Sequence, residues 1–261
     1  MASASSYFLA SSAYINTYSM QFDGVNELIN CQDAGNFSFG DGVSSSPRSI
    51  SLWVKFNSVS VGPTLIAKDD GDSQREWGIG IFTATGAITA FIKGNLTGTI
   101  QIGRSTPTGT VTTGTWYHIV MTYDGSTAST GIKIYRNASR QDNQNSNAGT
   151  FVAAVAGTEP VTIGARGAVG AGRTNFLNGN VDEVSVWTKE LSQAEVTELY
   201  NGGSPMDAQS HSAIADLFYY NQMGDGATFD GSNWSLPDVQ GNVAAAASIN
   251  MELGDRVTDV P

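Results

Sequence analysis

A single cysteine, Cys31, stands among the 261 residues, so no disulfide can form within the chain and stability has to come from a core. Cys31 itself reads as a small apolar strand residue rather than a reactive thiol. Cations are scarce too. Thirteen Lys and Arg against 24 Asp and Glu give a formal net charge of -11. Phosphate backbones are bound by clustered cations, so a nucleic-acid partner is not expected. Charged residues of both signs make up only 14% of the chain, which suits long solvated helices poorly. No stretch reaches the ~18 consecutive apolar residues of a membrane-spanning helix, and no membrane partner is expected. The first twenty residues, MASASSYFLASSAYINTYSM, have no basic start and too short an apolar run for a cleaved secretory signal. Residues 1–17 read as an extended arm outside the folded body.

What the chain has in quantity is turn chemistry and short alternating runs. It contains 30 glycines, and Asp-Gly pairs recur at Asp23-Gly24, Asp41-Gly42, Asp70-Gly71, Asp124-Gly125, Asp225-Gly226 and Asp230-Gly231. Between such turns Tyr18, Met20 and Phe22 alternate with polar residues, as do Ile50, Leu52, Val54 and Phe56 in RSISLWVKF, with Trp53 on the opposite face. TLIAK, EWGIGIF, AITAFIKG, TIQIGR, WYHIVMTYDG, GIKIYRNAS, PVTIGAR and GNVDEVSVW continue the series. Short runs separated by turns every ten residues or so predict a two-sheet sandwich or jelly roll.

One helix interrupts this pattern. In LSQAEVTELYNGG, Ser192 can cap the amide of Glu195, Glu195 can return the bond, Leu191 can staple to Val196, and Gly202 or Gly203 can take the left-handed C-terminal position. The spacing predicts about three turns with Val196, Leu199 and Tyr200 facing inward.

No constellation of catalytic residues emerges. Asp182 and Glu183 are adjacent, and a regular strand sends neighbours to opposite faces, so they are not expected to form the acid and nucleophile of a glycosidase. His118 reads as a hydrogen-bonded sheet histidine and His211 as a surface-loop residue. The catalytic set is therefore expected to be empty. Residues suited to ligands lie in several loops. Trp77 offers a flat apolar face for a sugar ring, although its alternation with Ile79 and Ile81 also fits a core position. Asp72 sits beside it in sequence, and Arg75, Arg104, Arg166 and Arg173 offer forked donors for carboxylate or sulfate oxygens.

The order YSMQFDGVNELINC, SISLWVKF, TLIAK, GTWYHIVMTYDG, IKIYRN, VTIGARG and FLNGNVDEVSVWTKELSQAEVTELYNGG resembles the laminin G-like or pentraxin-like jelly roll of the concanavalin A-like lectin/glucanase superfamily. The likeness spans about residues 18–203. It implies an all-β, two-sheet antiparallel jelly-roll sandwich over residues 18–204 with one short C-terminal helix. Residues 205–261 follow as a strand and loop segment packed on the domain or on a partner. Within the resemblance, Asp69, Asp70 and Asp72 occupy the position of a pentraxin calcium loop. Arg166 and Arg173 stand where the second such loop needs acids. A single structural Ca2+ at Asp23 with backbone oxygens is the metal site it leaves open, the alternative being that Asp23 caps its own turn.

The C-terminal stretch DLFYYNQMGDGATFDGSNWSLPDVQGNVAAAASINMELGDRVTDVP, with an aromatic strand, a Met-Gly-Asp-Gly turn, an Asp before a Gly-Asn turn and a closing Asp-Val-Pro, is similar to tails that accompany such domains in bacteriophage virion proteins and bacterial surface proteins. These likenesses imply a non-enzymatic, lectin-like module of a virion surface, as capsid decoration, fibre or tail component. It would be homo-oligomeric or part of a larger assembly, would reach other virion proteins through the arm and the C-terminal segment, and would be open to host glycans. A carbohydrate-binding adhesin domain at a bacterial surface is the alternative setting, and a glycan hydrolase or lyase is a third reading that no residue pattern supports.

Overall fold

The computed structural model describes residues 14–60, 62–83, 85–167 and 172–261. Most of the expected arm, residues 1–13, and part of the loop after Arg166, residues 168–171, lie outside the described residues. The described residues form two antiparallel sheets facing each other across one core, with a single α-helix on the outside of one of them.

The eight-stranded sheet runs in the order Ser139–Arg140, Ile132–Arg136, Trp116–Tyr123, Arg48–Phe56, Asn178–Trp187, Ser19–Asp23 and Arg256–Val257, with Leu217–Asn221 also pairing to Asn178–Trp187. The ten-stranded sheet runs Gln144–Asn145, Gln101–Ser105, Thr89–Lys93, Arg75–Gly80, Thr64–Asp69, Thr162–Ile163, Leu28–Asn30, Ala246–Ile249, Trp234–Leu236 and Thr228–Phe229. Alternation explains which residues meet between them. Ile50, Leu52, Val54 and Phe56 from one sheet and Trp77, Ile79, Ala90 and Ile92 from the other share the main core.

Trp53, on the opposite face of its strand, stacks on Tyr200 of the helix at 5.8 Å between ring centroids. That helix, Gln193–Tyr200, closes a second apolar cluster in which Val196 and Leu199 pack with Val120, Trp187 and Tyr220. Ser192 and Glu195 form the reciprocal capping box. The helix has eight residues, so it is two turns long rather than three, and Asn201, at φ 46°, takes the first left-handed position ahead of Gly202.

The strand Asn178–Trp187 departs from regular alternation at the residues that matter most. Its register against Arg48–Phe56 shifts between Asp182 and Ser185, and Glu183 has φ 50°. The extra residue of this bulge turns Glu183 out of the core row, which passes from Val181 to Val184. The bulge also marks a change of partner, because Asn178 to Val181 pair with Ser19–Asp23, whereas Val184 to Trp187 pair with Leu217–Asn221. Asp182 and Glu183 thus lie in the gap between two partner strands, contrary to the expectation that they face opposite ways.

Residues 205–261 enter both sheets. Leu217–Asn221 and Arg256–Val257 join the eight-stranded sheet, while Ala246–Ile249 pairs with Leu28–Asn30 in the other. Trp234 is buried among them, donating its indole N–H to the Glu252 carbonyl at 2.8 Å, with the Arg256 guanidinium 5.0 Å from its ring centroid. No helix among the described residues is long and apolar enough to cross a membrane.

Candidate functional site

The outer face of the ten-stranded sheet carries a groove of about 270 Å3. Its floor follows from strand alternation. In Thr89–Lys93 the residues Ala90 and Ile92 enter the core, which leaves Thr89, Phe91 and Lys93 pointing outward. In Arg75–Gly80 the residues Trp77 and Ile79 enter the core, and the outward positions are Gly78 and Gly80. These glycines make room for aromatic rings. A Cβ on Gly78 would meet Phe91 Cζ at 2.8 Å, and one on Gly80 would meet Phe82 Cζ at 3.2 Å. Phe82 and Phe91 lie 5.3 Å apart between centroids at 53°, with Phe91 nearly buried and Phe82 half-buried at the surface. A partly exposed ring fixed over a strand is a surface on which a sugar face can lie.

Polar groups surround this floor. Gln101 pairs across from Lys93 and donates to the Ser146 carbonyl at 2.9 Å, and Thr89 shares a hydroxyl contact of 2.8 Å with Ser105. Asn175, held at φ 59°, donates to the Gly62 carbonyl at 2.7 Å and lines the opposite wall. Arg75, Lys93 and Arg166 supply the charge. Arg75 Nε donates to both oxygens of Asp69, at 3.2 and 3.3 Å, and its guanidinium lies against Gly98, whose Cβ, were there one, would be 2.7 Å from Nη1. Arg166 Nη1 stands 3.9 Å from Asp69 Oδ2. The Lys93 ammonium donates to Gln101 Oε1 and lies over the Phe91 ring. Burial, reinforced by Arg75 and then Arg166, pulls the Lys93 pKa down to about 8, with Asp69 opposing.

Of the six ligand candidates read from sequence, the groove therefore gathers Arg75 and Arg166. Trp77 is not available to a ligand: it is fully buried, donates to the Phe37 carbonyl at 2.8 Å and stacks on Phe39. Its alternation with Ile79 decided its side. Arg104 pairs opposite Ala90, on the core-facing row rather than the outer one, and binds Asp142 through Nε and Nη2 at 3.0 and 2.6 Å. Asp72 is exposed on the neighbouring turn, where Asp70 accepts its amide, and it borders Arg166 from outside the groove. Arg173 follows the loop that leaves Arg166 and does not line the groove. Phe82, Phe91, Lys93, Gln101 and Asn175 were missed. The signal for Phe91 and Lys93 was present in AITAFIKG, where the outward row reads Thr, Phe, Lys.

Asp23 has a structural occupation. Its Oδ1 accepts the amides of Val25 and Asn26 at 2.7 and 3.3 Å, and its own amide donates to Glu27 at 2.6 Å. Asp23 thus caps its own turn through Oδ1, the alternative to the Ca2+ reading. No group of three acidic, His or Cys side chains among the described residues could hold a metal.

Both histidines are buried. His118 Nε2 lies 2.7 Å from Ser51 Oγ, and burial holds its pKa at about 3. His211 is a correction to the surface-loop reading: it is 1% exposed, packs edge-on against Trp187, and accepts the Ala213 amide on Nδ1. The trimmed composition of its neighbours, with Ser and Ala around it, gave no apolar pattern to signal this.

The Asp182 and Glu183 carboxyls are covered by the chain before the first strand. Tyr14 and Tyr220 donate to the two oxygens of Glu183, and Asn16 Nδ2 donates to Asp182 at 2.8 Å. Burial pushes the Glu183 pKa up to about 7 against the pull of the two tyrosines, and burial with the Glu183 charge raises Asp182 well above its ordinary value. This pair is a fastening for residues 14–16 rather than an open cleft.

Among curated proteins, none matches the chain. Among solved structures, a candidate carbohydrate-binding protein from Bacteroides ovatus superposes with a TM-score of 0.58 at 17% identity over 90% of this chain; the match spans 60% of that protein's length. A native heptameric SAP-like pentraxin from Limulus polyphemus gives a TM-score of 0.52 at 15% identity, covering 81% of this chain and 94% of that one. The CBM40 of the Ruminococcus gnavus IT-sialidase, bound to α2,3-sialyllactose, gives 0.53 at 15%, covering 70% and 96%. These likenesses establish the sandwich architecture. The Laminin_G_3 family model, described as the concanavalin A-like lectin/glucanases superfamily, matches residues 31–197, well over half of the chain, and the chain belongs to that family.

Proposed function

We propose that the chain is a non-catalytic, lectin-like module that binds carbohydrate in the groove on the outer face of its ten-stranded sheet. The observation that carries this reading is the Phe82 ring, partly exposed over the glycine-faced strand and flanked by Gln101, Asn175 and Arg166. Sugar recognition pairs an apolar ring face with a few fixed polar groups, and the groove provides both. The carbohydrate-binding descriptions of the Bacteroides ovatus and Ruminococcus gnavus structures support the same class of ligand. A groove of about 270 Å3 suits one or two sugar units rather than a long enclosed chain.

A glycan array probed with and without calcium, using wild-type protein and Phe82→Ala, tests this. Wild type is expected to mark a defined set of glycans in both conditions, and Phe82→Ala to lose at least tenfold in affinity. An array that stays blank in both conditions removes the binding claim.

The setting we propose for the module is a virion surface, as capsid decoration, fibre or tail component, with a bacterial surface as the alternative. Its support is the likeness of the C-terminal stretch to virion and surface-protein tails. Mapping the neighbours of the chain in its native particle by cross-linking tests it, and finding the chain free of any assembly would remove it.

A further inference from the structure

We propose that the ligand of this groove is an acidic oligosaccharide whose carboxylate or sulfate is received by Arg166 and Arg75 together with Lys93, an inference that rests on carbohydrate binding at the same groove. The distribution of charge is the first ground. The chain carries 24 acidic residues against 13 Lys and Arg, yet three of those 13 line this groove and no Asp or Glu does. A surface chosen by composition alone would have the opposite sign.

The second ground is that these cations are short of counterions. Among the described residues, one carboxylate, Asp69, is ion-paired to the set, and it serves both Arg75 and Arg166 while also accepting the Gly71 amide at 2.6 Å. Arg166 stands 3.9 Å from it, beyond hydrogen-bonding distance, and its buried Nε has no acceptor. Lys93 is 4% exposed, and its ammonium meets the neutral Gln101 amide and, at 3.4 Å, the Gly98 carbonyl. Holding a buried ammonium on neutral acceptors is costly, and the depressed Lys93 pKa of about 8 reports that cost. An anion entering the groove would offset it. A neutral sugar would leave it as it stands.

Geometry supplies the third ground. Arg75 and Arg166, with side chains 20% and 22% exposed, both line the groove and both approach Asp69. Guanidinium forks suit planar carboxylate and tetrahedral sulfate alike. The half-buried Phe82 ring lines the same groove, so a sugar ring can lie on it while its acidic substituent meets the cations.

The test is calorimetric titration of the full chain with the tightest acidic glycan from an array and with its neutral form, the carboxylate methyl-esterified or the sulfate removed. Sodium acetate and sodium sulfate serve as free-ion controls. The inference expects the neutral form to bind at least tenfold more weakly. It also expects Arg166→Gln to lose about as much affinity for the acidic form, and several-fold more for the acidic form than for the neutral one. Higher salt should weaken the acidic form selectively. Whether the best acidic ligand carries a carboxylate or a sulfate identifies the source of the anion. Because the Arg166 side chain makes only a long ion pair among the described residues, its variant should keep the wild-type melting temperature within a few degrees. Lys93→Met, checked by circular dichroism, serves as the second variant. Equal binding of acidic and neutral forms overturns the inference and leaves carbohydrate binding intact, as does full acidic-glycan affinity in Arg166→Gln. Binding by neither form overturns both, and saturation by free sulfate or acetate at the glycan's own concentration also overturns the inference, because it shows an anion site that needs no sugar.

Discussion

Glu183 shows how one residue can be both legible and misleading. Its carboxyl is buried beneath Tyr14 and Tyr220, beside Asp182, with Asp225 and Asp207 adding negative potential, and its pKa rises from 4.5 to about 7. The folded chain therefore keeps a proton that the unfolded chain releases between those values, so this group's contribution to stability falls as pH rises from about 4.5 to 7. His118 works in the opposite sense, since its folded pKa of about 3 lies below its ordinary 6.5 and acid favours the unfolded chain. Comparing variants separates the two. Glu183→Gln, which removes the charge and keeps one oxygen acceptor, is expected to gain stability on wild type as pH rises to 8. The gap should close toward pH 5. Urea melts at the two pH values measure it, and an unchanged difference would refute the buried-charge assignment. Single residues were read well where alternation decides their side, as for Phe22 and Trp53, both buried, whereas Cys31 is buried but lies just past the strand Leu28–Asn30 rather than in it. They were read poorly where a loop turns back into the core, as for His211, because burial there depends on distant partners such as Trp187.

The strand Arg75–Gly80 and the helix Gln193–Tyr200 are elements whose sequences state their jobs. Gly78 and Gly80 face outward, and the space they leave is filled by Phe91 and Phe82. Gly78→Ala should therefore displace the Phe91 ring, weaken glycan binding several-fold and leave the fold in place, a result that titration with circular dichroism can check. The helix depends on its start. Ser192 accepts the Glu195 amide and its own amide donates back to Glu195 at 2.7 Å, so Ser192→Ala is expected to cost about 1 kcal/mol in a chemical melt. The capping box and most strands were plain in the sequence, because both rest on contacts between residues a few positions apart. The bulge at Asp182 and Glu183 was not, since a glutamate at φ 50° carries no local signature and is stabilised by strands far away in sequence. The groove was half legible for the same reason. Arg75 and Arg166 could be named from residue type, whereas the company of Lys93, Gln101 and Asn175 depends on strand pairing and loop return.

At the scale of the whole molecule, residues 205–261 are part of the sandwich rather than an addition to it. Leu217–Asn221 and Ala246–Ile249 pair with Asn178–Trp187 and Leu28–Asn30, and ending the chain at residue 204 would bare both partners. Such a truncation is expected to aggregate or to lose its cooperative thermal transition, as size exclusion and calorimetry would show; a soluble, two-state truncation would contradict this. One side of the eight-stranded sheet is taken up by the helix and the fastening of residues 14–16, and the groove on the other sheet is a surface that brings aromatic, polar and cationic groups together. The most direct measurement is a nuclear magnetic resonance titration of the isotopically labelled chain with the best glycan from an array. The account predicts that amide and side-chain shifts concentrate on Phe82, Phe91, Lys93, Gln101, Arg166 and Asn175. Shifts confined to other surfaces, such as the turn of Asp70 and Asp72, would contradict it.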